Sequence, residues 1–214
     1  MLNVLRPALA RLLTPVGEAL ARTPVTANAV TMTGTAGVVA GALWLFPTGH
    51  LFAGTVVCTV FVLADMLDGA LARVKGTTGA WAAFLDSTLD RIGDAAVFGG
   101  LTIWLARGGH QALLAGVALY CLVAGVLVSY ARARAEGLAV RADVGVAERS
   151  ERLVIVLVSA GLTGLGVPFV LAIGLWALAV LSTVTFGQRV IAVRRAVGPG
   201  AGDQPPGNSG AGGA

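Results

Sequence analysis

Apolar residues in this chain gather into runs of roughly 15 to 25, and the polar stretches between them are short. A helix built from such a run is long enough to cross a hydrocarbon core about 30 Å thick. Six runs qualify as candidate spans, at residues 30–46, 51–73, 80–105, 111–130, 153–167 and 168–188. The fifth is short and the sixth opens on Pro168, so the boundary between them is the least sharply marked. Ahead of the first span, Leu5, Leu9, Leu12, Val16 and Leu20 recur at three- and four-residue steps among Arg6, Arg11 and Arg22. That is the pattern of an amphipathic helix lying on a membrane surface, with a kink at Pro15. Residues 198–214 are rich in Gly and Pro and have no apolar anchor, which predicts a disordered tail. The expected architecture is an all-α integral membrane protein, with a juxtamembrane helix over 1–23, six transmembrane helices within 24–197 and a tail over 198–214.

Composition agrees with that pattern. The chain is 56% hydrophobic and 12% charged, against about a quarter charged for a soluble domain, which excludes an ordinary soluble enzyme. Cys58 and Cys121 each stand alone inside an apolar run, so they read as packing residues rather than a disulfide or a thiolate metal site. Arg6, Pro7, Arg11, Pro15 and Glu18 break up the uninterrupted apolar stretch that a signal peptide needs, and no cleaved leader is expected. The pI near 9.8 comes without a basic stripe interleaved with aromatics, so it does not point to nucleic acid. It reports topology instead. With six spans, Arg6, Arg11, Arg22, Arg73, Lys75, the basic residues of 132–152, Arg189, Arg194 and Arg195 fall on one side of the membrane. Arg107 is alone on the other, and the positive-inside rule then places both termini in the cytoplasm.

Within a chain so poor in charge, five of the eleven acids fall between Asp65 and Asp94. Carboxylates near membrane depth are costly and mark function by default. Asp65 and Asp68 are three apart near the end of the second span; Asp86, Asp90 and Asp94 are each four apart at the start of the third. This spacing sets each group on one helix face, and the short connection brings the two groups together at the cytoplasmic end of a hairpin. Converging carboxylates repel one another unless cations lie between them. Hard oxygen donors without nearby His or Cys suit Mg²⁺ or Mn²⁺, and four of them can hold two ions roughly 4 Å apart. His50 and His110 fall on the opposite side by this topology. Alternatively the aspartates pair with Arg73 and Arg91 or line the cation path of a transporter, although a transporter places such groups nearer the midplane. Gly69 and Ala72 leave room for a flat group to approach the helix, beside Arg73, whose guanidinium can clamp a diphosphate. Helix packing is the other explanation for the small residues.

These positions resemble the signature of the CDP-alcohol phosphotransferase family, D-x2-D-G-x2-A-R-x8-G-x3-D-x3-D. It reads here as Asp65, Asp68, Gly69, Ala72, Arg73, Asp86 and Asp90, with Ala82 in place of the second glycine. Seven of eight fixed positions agree, and the likeness runs over most of the chain, nearest to the bacterial branch that makes phosphatidylinositol phosphate. The resemblance implies six transmembrane helices preceded by a juxtamembrane helix, a homodimer, and a polar cavity open to the cytoplasm. It implies two Mg²⁺ ions, or Mn²⁺, on Asp65, Asp68, Asp86 and Asp90, with Asp90 also taking the proton of the attacking hydroxyl. It further implies that Gly69, Arg73, the 77–79 loop with Gly79, and the segment Asn28, Ala29, Val30 and Thr31 contact CDP-diacylglycerol. Ala27 stands where that segment usually has proline, and Asn28 is alternatively a helix cap.

Arg132, Arg152 and Arg189 fall at the cytoplasmic ends of spans four, five and six. Around a shared cavity they form an anion site, which favours a phosphorylated acceptor; alternatively they snorkel to lipid phosphate, and Glu148 and Glu151 pair with Arg149 or Arg152. The expected reaction is transfer of the phosphatidyl group to inositol 1-phosphate with release of CMP, in the cell membrane. Glycerol 3-phosphate as acceptor is the nearest alternative, and a cation transporter the more remote one.

Overall fold

A computed structural model describes residues 26–75, 79–140, 142 and 144–197, with the side chains of residues 65–75 excepted. The juxtamembrane segment 1–23 and the tail 198–214 therefore lie outside the described residues. What is described is all-helical: α1 (Ala27–Leu45), α2 (Leu51–Lys75), α3 (Ala80–Arg107), α4 (Ala112–Glu136), α5 (Arg149–Gly164) and α6 (Val170–Val197). Each expected span finds its helix. The uncertain fifth boundary resolves into a turn at 165–169, with Pro168 before α6, where its missing N–H disrupts no helical ladder.

Among the described residues α1, α4 and α6 are long and apolar enough to cross a membrane. In α2, Leu51–Ala64 forms a shorter apolar helix stretch among the described residues. Helix α5 has 16 residues, about 24 Å at 1.5 Å per residue. The surface is inverted relative to a soluble protein. Trp44, Leu113, Phe169 and Ile173 expose 74%, 73%, 78% and 68% of their area, a display that suits lipid rather than water.

Helix packing follows a closed ring in the order α1, α2, α5, α6, α4, α3 and back to α1. Its core holds Phe46, Leu51, Val97, Phe98, Leu101, Leu105, Leu175 and Leu178, with both cysteines buried and free among them. Lipid tails are as apolar as leucine, so close backbone approach and packing must drive helix association. Gly100 is such a contact: a Cβ there would strike the Ala42 carbonyl of α1. The turns at the far end close on main-chain hydrogen bonds. His50 N donates to Leu45 O at 2.9 Å around Gly49, whose φ of +83° is a left-handed conformation that suits glycine. Because the helices alternate in direction, the start of α1, α3 and α5 and the end of α2, α4 and α6 meet at one end of the bundle.

Candidate active site

The charge within the described residues is concentrated at that end. Asp86 on α3 is exposed, and Asp90, one turn later, is half-buried. Asp94, a further turn in, is buried. Burying a carboxylate is tolerable only with partners, and α5 supplies them. Asp94 Oδ1 accepts from Arg149 Nε at 3.1 Å, and Oδ2 accepts from Arg152 Nη2 at 3.4 Å. The same Arg149 places Nη1 2.6 Å from Asp90 Oδ1, while Arg91 Nη2 lies 3.5 Å from Asp90 Oδ2.

The connection between α4 and α5 is fastened over this cluster from α6. Thr185 Oγ1 accepts from Val146 N at 3.2 Å and Ala147 N at 3.0 Å. Arg189 Nε donates to Val144 O at 3.0 Å, and its Nη1 donates to Val128 O of α4 at 2.6 Å. Arg152 Nη1 donates to Ala147 O at 3.4 Å. Arg152 and Arg189 are only 3% and 4% exposed, so neither snorkels to a headgroup. Both brace the connection, and the structure brings them together there. Arg132 stands apart, exposed on the last turns of α4, with its Nε donating to Glu136 Oε1 at 2.9 Å.

Other expected positions fall at the same end. Asn28, Ala29, Val30 and Thr31 occupy the opening of α1, with Asn28 half-buried and Thr31 buried and donating to Ala27 O at 3.1 Å. The cap of α1 is Thr26, whose hydroxyl accepts from Ala29 N at 3.2 Å, so the capping alternative for Asn28 falls away. Gly79 is the N-cap position of α3, exposed, with open space where a Cβ would stand. Asp65, Asp68, Gly69 and Arg73 lie on the last turns of α2 by backbone, but their side chains are outside the described residues, as is the rest of the 77–79 loop. The sequence offered Arg149 only as one alternative partner for Glu148 and Glu151, and its contacts with Asp90 and Asp94 were missed. Glu151 also helps to cap the start of its own helix, where Oε2 accepts from Glu148 N at 3.0 Å.

The donor set fits a divalent cation. Asp86 and Asp90 are hard oxygen donors on adjacent turns, and the two histidines sit exposed in the far-end turns. Among the described residues no group of three or more His, Cys, Asp or Glu is gathered to hold a metal ion. Two of the four expected donors, Asp65 and Asp68, are on α2 and outside that search.

A helical membrane-type bundle with paired carboxylates opposite arginines now meets its relatives. Residues 24–187 match the CDP-alcohol phosphatidyltransferase family model, and the chain belongs to that family. The transporter alternative ends there. The chain is 50% identical over 192 residues to the phosphatidylinositol phosphate synthase of Streptomyces avermitilis, covering 86% of this chain and 79% of that protein. It is also 50% identical to the phosphatidylinositol phosphate synthase of Mycolicibacterium smegmatis, over 90% of this chain and 88% of that one. Among solved structures, Mycobacterium tuberculosis phosphatidylinositol phosphate synthase with CDP-DAG bound matches with a TM-score of 0.84 at 46% identity, covering 92% of this chain and 99% of that one. The same enzyme in complex with manganese and citrate matches with a TM-score of 0.83, covering 91% and 93%.

Proposed function

We propose that this protein transfers the phosphatidyl group of CDP-diacylglycerol to a hydroxyl of inositol 1-phosphate, forming phosphatidylinositol phosphate and CMP. The reading is carried by the 50% identity, over 86% of the chain, to a protein named for that product. The site's geometry is consistent with it, since Asp86 and Asp90 share a helix face at the charged end of the bundle. In this reading Asp65, Asp68, Asp86 and Asp90 would hold two Mg²⁺ ions, or Mn²⁺, which would supply positive charge against the negative charge of the diphosphate and the departing CMP.

The chain's own residues do the remaining work. Asp90 accepts the proton of the attacking hydroxyl, which it can do as a weak base if the hydroxyl is held in hydrogen-bond reach. Gly69, Arg73, Gly79 and the opening of α1 from Asn28 to Thr31 contact the nucleotide and diphosphate. Arg132, Arg152 and Arg189 attract the acceptor's phosphate: Arg132 offers an exposed guanidinium, and the two buried arginines contribute charge while holding the 144–147 connection in place. The protein acts as a homodimer in the cell membrane, with six spans, a juxtamembrane helix, and the site and both termini on the cytoplasmic side.

Purified protein with Mg²⁺ and CDP-diacylglycerol is expected to release CMP when inositol 1-phosphate is added and to stay silent with free inositol. Release with glycerol 3-phosphate alone would reassign the product to phosphatidylglycerol phosphate.

A further inference from the structure

Asp94 lies outside the eight-position signature, yet it is the most buried carboxylate among the described residues. Its two oxygens are divided between Arg149 and Arg152. The first contact takes the inner nitrogen of Arg149, Nε, and leaves an outer one, Nη1, directed onto Asp90 Oδ1 at 2.6 Å. A planar guanidinium makes the two contacts from separate nitrogens held in a fixed fork, whereas an ammonium would have to make both from one atom. The inner end of this chain of charges is closed and the outer end open: the Asp94 side chain is 8% exposed, that of Arg149 26%. A divalent ion bound through Asp90 therefore meets a carboxylate oxygen already covered by a cation, and the two positive charges exclude each other there.

We infer that Asp94 is a positioning residue that holds Arg149 as a built-in counter-cation for Asp90. The guanidinium screens Asp90 while the metal is away and turns aside on its Asp94 contact when the metal arrives. This inference rests on the proposed ligand role of Asp90. Its consequence is an exchange: metal affinity is set partly by how firmly Arg149 sits on Asp90, and Asp94 sets that firmness by competing for the same guanidinium.

The test is Mn²⁺ binding to the full chain in lipid nanodiscs, read from the electron paramagnetic resonance signal of free Mn²⁺, with thermal melts alongside. Asp90→Asn comes first: unchanged Mn²⁺ binding would overturn the ligand role of Asp90 and this inference with it. Given the expected weakening, Arg149→Gln and Arg149→Lys should both tighten Mn²⁺ binding by about tenfold, the lower end of what outer-shell changes do at metal sites. Lysine keeps the charge but lacks the second nitrogen that spans Asp94 and Asp90. A simple field effect would make Arg149→Lys behave like the unchanged protein, and that result overturns the exchange while leaving Asp90 a ligand. Asp94→Asn should move binding the other way, weakening it by about tenfold, because Arg149 then leans on Asp90 alone. Tightening in that variant is equally fatal. Should Asp94→Asn lose its melting transition, Arg149→Lys, which keeps a cation beside Asp94, decides the question.

Discussion

Between Ala95 and Arg107, α3 buries Val97, Phe98, Leu101 and Leu105 against its neighbours, whereas between Ala80 and Asp94 the same helix exposes Trp81, Phe84 and Asp86 and buries nothing before Gly93. The inner half is held by packing, including the close approach of Gly100 to the Ala42 carbonyl. The outer half is held by charge, through Asp90 and Asp94 to Arg149 and Arg152. A continuous helix thus carries a rigid anchor and an open working end, and substitutions in the two halves should fail in different ways.

The largest effect is expected at the working end. Asp90→Asn should lower CMP release by about a thousandfold, within the range of a lost general base, while the melting temperature stays near that of the unchanged protein. Near-normal turnover would remove Asp90 from the chemistry. At the anchor the expected failure is the reverse. Leu101→Ala, at a position with no exposed surface, should cost about 3 kcal/mol through the cavity it opens, with turnover per folded molecule unchanged. Gly100→Ala should cost about 1–3 kcal/mol, because the obstructing atom is backbone and cannot rotate away. A melt that does not move would show that α1 and α3 are free to separate.

Smaller effects sharpen the boundary between halves. Thr185→Val leaves the Val146 and Ala147 amides without their acceptor, at about 1–3 kcal/mol if those groups stay buried. Hydrogen exchange at these two amides should quicken before any other change is seen. Gly79→Ala should shift stability by less than about 0.5 kcal/mol, as expected for an exposed site, since its φ of −164° is ordinary extended backbone and no atom lies near. A loss of CDP-diacylglycerol affinity in that stable variant would tie Gly79 to the nucleotide.

The helices were legible because each is announced locally. Apolar runs of spanning length set their number, Gly49 and Pro168 mark two far-end turns, and the predicted limits fall within a few residues of the observed ones except at the ends of α4 and α6 and the start of α5. Those helices run further than the apolar pattern because Arg132, Glu136, Arg149 and Arg194 continue a helix perfectly well once outside the hydrocarbon. The clustering of Asp86, Asp90 and Asp94 was legible for the same reason, since four-residue spacing is a local property. What the sequence did not reveal was pairing across the bundle. Arg149 meets Asp94 over 55 positions and Thr185 meets Ala147 over 38, and nothing in either neighbourhood singles out its distant partner. Arg152 and Arg189 were placed at the correct end, but their burial under the 144–147 connection depends on the folding of α5 and α6 against each other.

The Asp94 pairing also has a meaning for biogenesis. Its partners lie 55 and 58 residues later in the chain, so α3 leaves the ribosome well before α5 can neutralise it. At synthesis rates of roughly 5–20 residues per second this interval is about three to twelve seconds. During that time a nascent chain carries an uncompensated acid on a helix destined for the interior, at a stage when the insertion machinery must keep it from lipid. A chain released before Arg149 is therefore expected to be cleared by quality-control proteases faster than one released just after Arg152.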